Sequence, residues 1–236
     1  MAVSIKSARE IELMREAGKR LAHVHQELEA MIAPGISTWE IDAKGEKLIR
    51  DCGCIPNFLH YNGYPASICV SVNDEVVHGI PRKDRYLKEG DIVSLDAGLI
   101  YKGYHSDAAR THAVGKVSTE AQKLMDVTKQ SFFEGIKMAK EGQHLHDISR
   151  AIEEYVTPYG YGIVRDLVGH GIGTALHEAP EIPNYEVGRK GVKLRPGMTL
   201  AIEPMINIGT YEVDWLDDDW TVVTRDGSLS AHYENT

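Results

Sequence analysis

The stretch GHGIGTALHEAP (169–180) sets two imidazoles, His170 and His177, seven residues apart among three glycines. Such a segment is either a reactive centre onto which glycine lets the backbone crowd, or a loop with two idle histidines. The rest of the chain decides between them. Asp96 lies in the apolar run IVSLDAGLI (92–100) and Glu203 in LAIEPMI (200–206). A carboxylate inside an apolar strand is costly unless it is paired or holds a metal. Asp107 and Glu234 add two more, each shortly after a strand-like aromatic, Tyr104 or Tyr233. Asp96 and Asp107 are 11 residues apart across a short turn, and an even-numbered loop would set both on one face of a hairpin.

Four carboxylates converging without counter-charge would repel one another and take up protons. Two divalent cations would neutralise them. With His170 as a nitrogen ligand, the set becomes a carboxylate-rich dinuclear centre suited to Mn, Fe, Co or Zn, unlike a thiolate structural zinc site. Metals paired about 3.5–4 Å apart activate a bridging water for hydrolysis.

Elements must bring these groups together, and the chain reads as helices alternating with strands. Ser7 with Glu10 makes a capping box that opens an amphipathic helix to about residue 32, closed by Pro34-Gly35. Ser37 with Glu40 repeats the device for a second helix ending before Gly53. Strands are expected at SICVSV (67–72) and DIVSLDAGLI (91–100), the latter turning through 101–103 into YHSDAART. A third helix, capped near Ser118 or Thr119, should run to about residue 140, and a fourth over roughly 146–156. The remainder reads as strand: GIVRDLVG, MTLAIEPMI and TVVTRDG–SLSAHYENT, with Asp226-Gly227 a tight-turn signal. The acidic run Asp217-Asp218-Asp219 reads as a solvated loop. No linker divides the chain, so residues 1–236 are expected to form one α/β domain.

An internal repeat carries more information. LKEGDIVSLDAGL (87–99) aligns with LRPGMTLAIEPMI (194–206), each placing a carboxylate, Asp96 or Glu203, six residues after a glycine. VHGIP (77–81) echoes LHEAP (176–180), with His78 and His177 each three residues before a proline. Two echoes in the same order, at offsets of 107 and 99, imply pseudo-symmetric halves packed around one shared site.

A net charge of −9 argues against general affinity for nucleic-acid phosphates or anionic membranes. Cys52, Cys54 and Cys69 form no disulfide framework or zinc-finger spacing, and Cys52 and Cys54 read as small buried residues. The first residues lack the apolar core of a signal peptide, and no run reaches about 18 apolar residues. A protein of the reducing cytoplasm is expected.

The order Asp96, Asp107, His170, Glu203, Glu234 resembles the five-ligand set of the pita-bread metallopeptidases. The motifs VVHGIP, DAGLIYKGYHSDAART, GHGIGTALHEAP and AIEPM are similar to those of type I methionine aminopeptidases, in their short bacterial form. The resemblance runs from the first helix to the last residue. It implies a pita-bread fold, a curved antiparallel sheet in two pseudo-symmetric halves covered by helices. It implies removal of the N-terminal methionine from nascent proteins, a small second residue being preferred, through attack of a metal-bound hydroxide on the carbonyl after that methionine.

Carried over, the resemblance has Asp96 hold one of two divalent ions (Co, Mn, Fe, Zn or Ni), His170 and Glu203 the other, and Asp107 and Glu234 both. Glu203 would also shuttle protons. His177 would hydrogen-bond the scissile carbonyl and developing oxyanion, His78 would contact the leaving nitrogen, and the glycines would let backbone approach the substrate. Phe58, Tyr61, Tyr64 and Cys69 fall where the family lines its methionine pocket, with Trp220 closing over it. Phe58 stands where a small or sulfur-bearing residue is expected. The implied partners are nascent chains and the ribosome, and a monomer is expected.

Aminopeptidase P and prolidase carry an N-terminal domain for which this chain has no room. Type II methionine aminopeptidases carry an insertion where only 25 residues separate His177 and Glu203. A non-catalytic binding module or a creatinase-like hydrolase on the same fold would lack this ligand set. Finally, SLSAHYENT looks like the first part of a hairpin, and a ligand-bearing strand should be held on both sides. The natural chain is therefore expected to run on by about one more strand beyond Thr236.

Overall fold

Two capping boxes open the first half of the molecule, which the computed structural model describes over residues 3–236. The Glu10 carboxylate accepts the Ser7 amide at 2.7 Å while the Ser7 hydroxyl accepts the amide of Glu10, starting α1 (Ala8–Glu29). Ser37 and Glu40 do the same for α2 (Thr38–Asp51). Helix α1 ends slightly before the expected boundary. Its Met14, Ala17, Leu21, Val24 and Leu28 form one apolar stripe, buried under the helix. The strands of this half are β1 (Ile55–Pro56), β2 (Ile68–Val72), β3 (Glu75–Val77), β4 (Ile92–Tyr101) and β5 (Tyr104–Ala113).

Strand β4 pairs antiparallel with β1, β2 and β5. Only Lys102 and Gly103 separate the β4–β5 pair, both with positive φ (50° and 84°), as a two-residue hairpin turn of the I′ kind demands. The second half repeats the plan with α3 (Thr119–Ile136) and α4 (Leu145–Val156), then β6 (Gly162–Ile163), β7 (Gly169–Gly171), β8 (Glu178–Ile182), β9 (Leu200–Ala201), β10 (Met205–Asn207), β11 (Val213–Trp215), β12 (Val222–Thr224) and β13 (Ser230–His232). One apolar core lies under α1 and α2, including Leu21, Ile41 and Leu95; another lies under α3 and α4, including Leu124, Ile148 and Ile206.

The repeat is geometric as well as textual. Ser37 bridges Tyr86, and His144 bridges Lys193, so both partners shift by the offset of 107 that relates LKEG to LRPG. Gly35 donates to the Leu87 carbonyl at 2.7 Å and Gly142 to that of Leu194 at 3.1 Å, again at that offset. The second echo does not share this register. His78 has φ 60° and His177 has no such backbone.

Four expectations need correction. Helix α3 stops at Ile136, where the chain passes into short turns such as Met138 donating to Gly135. MTLAIEPMI is two short strands, since Pro204 has no N–H to continue the ladder. The Asp226-Gly227 turn forms, with Gly227 donating to Thr224 at 3.2 Å, but the strands flanking it pair elsewhere: β12 with β3 and β11, β13 with β10. In keeping with what a ligand-bearing strand requires, the segment carrying Glu234 is held on both sides, Glu234 exchanging amide hydrogen bonds with Ala109 and Asn235 with Ile202. All three cysteines are free; Cys54 and Cys69 are buried, but Cys52, capping α2, is half-buried. Among the described residues no helix is long and apolar enough to cross a membrane.

Candidate metal centre and substrate cavity

Backbone register alone places five side chains on one face. Asp96 opposes Ala109, Gly98 opposes Asp107, and Ala109 pairs in turn with Glu234. Ile202 opposes Asn235, so Glu203 and Glu234 both point to the other face from that pair. His170 opposes Ala201, two residues before Glu203. Asp96, Asp107, Glu234, Glu203 and His170 therefore come from neighbouring strand segments and share one side. Nε2 of His170 lies 3.7 Å from Oε1 of Glu203. Asp107, His170 and Glu234 offer ligand atoms within 4.8 Å of one another, as do Glu203, His232 and Glu234.

The site carries unbalanced negative charge. Among the described residues the ion pairs of these carboxylates are with imidazoles only. Arg110 is near, but its guanidinium is spent on the Ala109 and Glu234 carbonyls and the Asn235 side chain. Burial, then repulsion from Asp107 and Glu203, pushes Asp96 well above the ordinary carboxylate range. Burial also raises Asp107, to about 7, and Glu203 and Glu234 rise through burial and then the Asp107 charge. Buried oxygens of Asp96, Asp107 and Glu234 have no hydrogen-bond partner. Orphaned oxygens facing one another are what bound cations would satisfy, so the residues fit divalent metal. His170 suits that role. Its Nδ1 lies 2.8 Å from the Gly171 carbonyl, which can only accept, so Nδ1 carries the proton and Nε2 keeps its lone pair for a ligand.

All twelve site residues expected from the sequence line one cavity of about 220 Å³, below the roughly 300–1,000 Å³ of drug-sized pockets. Phe58, Tyr64 and Cys69 are buried in its wall, and Tyr61 and Trp220 are half-buried at its mouth. Tyr64 donates to the Gly79 carbonyl at 2.9 Å and meets Trp220 edge-on at 5.1 Å. Asp218, in the exposed acidic loop, accepts the amides of Trp220 and Thr221 and so holds the indole in place. His78 sits in left-handed backbone, a cost borne where the neighbouring Gly79 is locked to β2 through Val70 and Ser71.

Two glycines of the opening motif also have a packing role. A Cβ on Gly169 would lie 2.4 Å from the Ala201 carbonyl oxygen, and one on Gly171 2.3 Å from that of Ala179. They let neighbouring strands close on β7. Sequence reading also missed His232, although alternation puts it on the face of Glu234, two residues on. It missed the hydrogen bond between Tyr61 and His177, which no local pattern encodes, and Asn62 and Leu176 in the cavity wall.

Fold and site together define a metallopeptidase. The model of metallopeptidase family M24 matches residues 12–236, and the chain belongs to that family. Within it the resemblance is to methionine aminopeptidases. The chain is 55% identical to the methionine aminopeptidase of Clostridium acetobutylicum over 99% of this chain and 94% of that one. It is 51% identical to methionine aminopeptidase 1 of Bacillus subtilis, over 98% and 93%. The crystal structure of the methionine aminopeptidase of Thermotoga maritima superposes with a TM-score of 0.96 at 45% identity, covering 99% of this chain and 94% of that one. The architecture is accordingly the pita-bread fold, and the protein is a metal-dependent hydrolase.

Proposed function

We propose that this chain removes the N-terminal methionine from polypeptides, taking those with a small second residue. The observation that supports the reading is one cavity of about 220 Å³ in which four carboxylates and His170 meet a wall of sulfur-bearing and aromatic side chains. Residues 1–236 act as one catalytic domain, a cytoplasmic monomer that meets its substrate as a nascent chain at the ribosome.

Asp96 would hold one divalent ion, His170 and Glu203 a second, and Asp107 and Glu234 both, the ions being Co, Mn, Fe, Zn or Ni. Bound there, such ions lower the pKa of water and polarise a carbonyl, making hydrolysis feasible at neutral pH. The methionine side chain lies among Phe58, Tyr61, Tyr64 and Cys69, with Trp220 over it. Its thioether is polarizable and suits aromatic edges and a thiol. His177 donates to the scissile carbonyl oxygen as charge develops there, and His78 contacts the nitrogen on the leaving side. Glu203, largely buried, passes a proton toward that nitrogen.

The test is hydrolysis of Met-Ala-Ser and Met-Lys-Ser peptides with and without chelator. Release of methionine from the first only, lost on chelation and restored by added metal, is the expected result. Equal cleavage of both would overturn the preference, and activity that survives chelation would overturn the metal-dependent reading.

A further inference from the structure

His232 is absent from the five-ligand set, yet its position on the terminal strand points it into the same site. The residue is 1% exposed, and neither ring nitrogen has a hydrogen-bond partner. A buried imidazole without a partner is uncommon. His25, buried on helix α1, by contrast has its Nε2 2.8 Å from the Ala108 carbonyl. What His232 faces instead are two carboxylates, with Nε2 3.9 Å from Oε2 of Glu203 and 3.9 Å from Oε2 of Glu234.

Those two distances are informative. An imidazole donating to a carboxylate closes to about 2.7–3.2 Å. Two atoms that each sit about 2.0–2.2 Å from one ion are instead about 3.4 Å apart at the tetrahedral angle and about 4.2 Å apart when opposed. A spacing of 3.9 Å to both partners at once falls in that interval. The His170–Glu203 distance of 3.7 Å, between two residues of the five-ligand set, falls in it as well.

We propose that His232 is a sixth metal-ligating side chain, its Nε2 coordinating the ion held by Glu203 and Glu234. The inference rests on the reading of this site as a metal centre. It changes the chemistry of that centre from one imidazole to two. A second nitrogen ligand favours Co, Ni and Zn over Mn, because preference for imidazole rises along that series. The chain's ion selectivity would then depend on a residue outside the five carboxylate and imidazole positions that its family resemblance supplies.

Proton NMR of the cobalt(II)-loaded full chain reads the ligand set directly, since each ligating imidazole adds one hyperfine-shifted, exchangeable N–H resonance. Two are expected in the unaltered protein, from His170 and His232, and one in His232→Gln. Titration with cobalt(II) should show affinity falling about tenfold or more in His232→Gln, with a smaller loss for manganese(II). One resonance in the unaltered protein, or unchanged cobalt affinity in folded His232→Gln, overturns the proposal while leaving the metal centre intact. Failure of the unaltered, folded protein to bind cobalt would overturn the metal centre itself. The count in the unaltered protein decides the matter even if the variant does not fold.

Discussion

The hydroxyl of Tyr61 lies 2.8 Å from Nδ1 of His177, with the two rings 5.5 Å apart. His177 is exposed, and the His170 ring lies 4.2 Å from its own. When the phenol donates to Nδ1, the imidazole proton resides on Nε2, the atom free to donate to a substrate carbonyl. Tyr61→Phe should therefore lower kcat about fivefold, the equivalent of one hydrogen bond of about 1 kcal/mol, with metal content unchanged. Steady-state kinetics beside elemental analysis checks this. An unchanged kcat would show that the hydroxyl does not orient His177.

The two histidines of GHGIGTALHEAP should separate by experiment. His170→Ala is expected to abolish turnover and lower the bound metal, since its Nε2 is the lone-pair nitrogen facing Glu203. His177→Ala should retain metal and lose about 10²-fold or more in kcat, the usual cost of one oxyanion donor. Metal loss in the second variant would mean that the roles are reversed.

Gly171→Ala tests the packing role of the glycines. Its Cβ would meet main-chain oxygen at 2.3 Å, and backbone cannot move aside as a side-chain tip can. A loss of about 3 kcal/mol or more in unfolding free energy is expected, measured by urea denaturation. A variant as stable as the parent would show that β7 and β8 can separate freely.

The residue after His177 anchors the N-terminal segment. Glu178 accepts from Lys6 Nζ and Ser4 Oγ, each at 2.6 Å. Burial raises its pKa, but the hydrogen bonds from Lys6 and then Ser4 outweigh it and bring the group to about 2. A depressed folded pKa adds stability that is complete above the unfolded value of 4.5 and is lost as pH falls through about 2. Glu178→Gln should thus be less stable than the parent at pH 7 by about 1–2 kcal/mol, and the gap should close between pH 4.5 and 2. A gap constant across that window, in denaturant titrations at several pH values, would refute the linkage.

Metal removal should lower the melting temperature, because a ligand bound only by the folded state stabilises it by mass action. Differential scanning calorimetry with chelator, then with added cobalt(II), is the check. Identical transitions would mean that the centre holds no ion tightly.

What could be read directly from the sequence was local chemistry and its repetition. Ser7 with Glu10 and Ser37 with Glu40 start their helices because both partners of each capping box lie within one turn. Lys102-Gly103 closes the β4–β5 hairpin because two residues suffice to reverse a strand pair. Asp96 and Glu203 stood out because a carboxylate in an apolar strand is anomalous wherever the strand goes. Tertiary structure decided what depends on partners far along the chain. Pairing of Glu234 with Ala109 and of Asn235 with Ile202 sets which face the terminal residues present, and with the Met205–His232 pairing it brings His232 beside Glu203. The turn at Asp226-Gly227 says where the chain reverses but not which strands it feeds, so β12 and β13 part to different neighbours. Gly169 is small because of the Ala201 carbonyl of β9, which lies outside 169–180, and Gly171 because β8 folds the Ala179 carbonyl of the same stretch back onto β7, a contact that spacing alone does not encode. A strand's side-chain alternation is written locally, but its register, and hence the side it turns to the site, is a contact between distant residues.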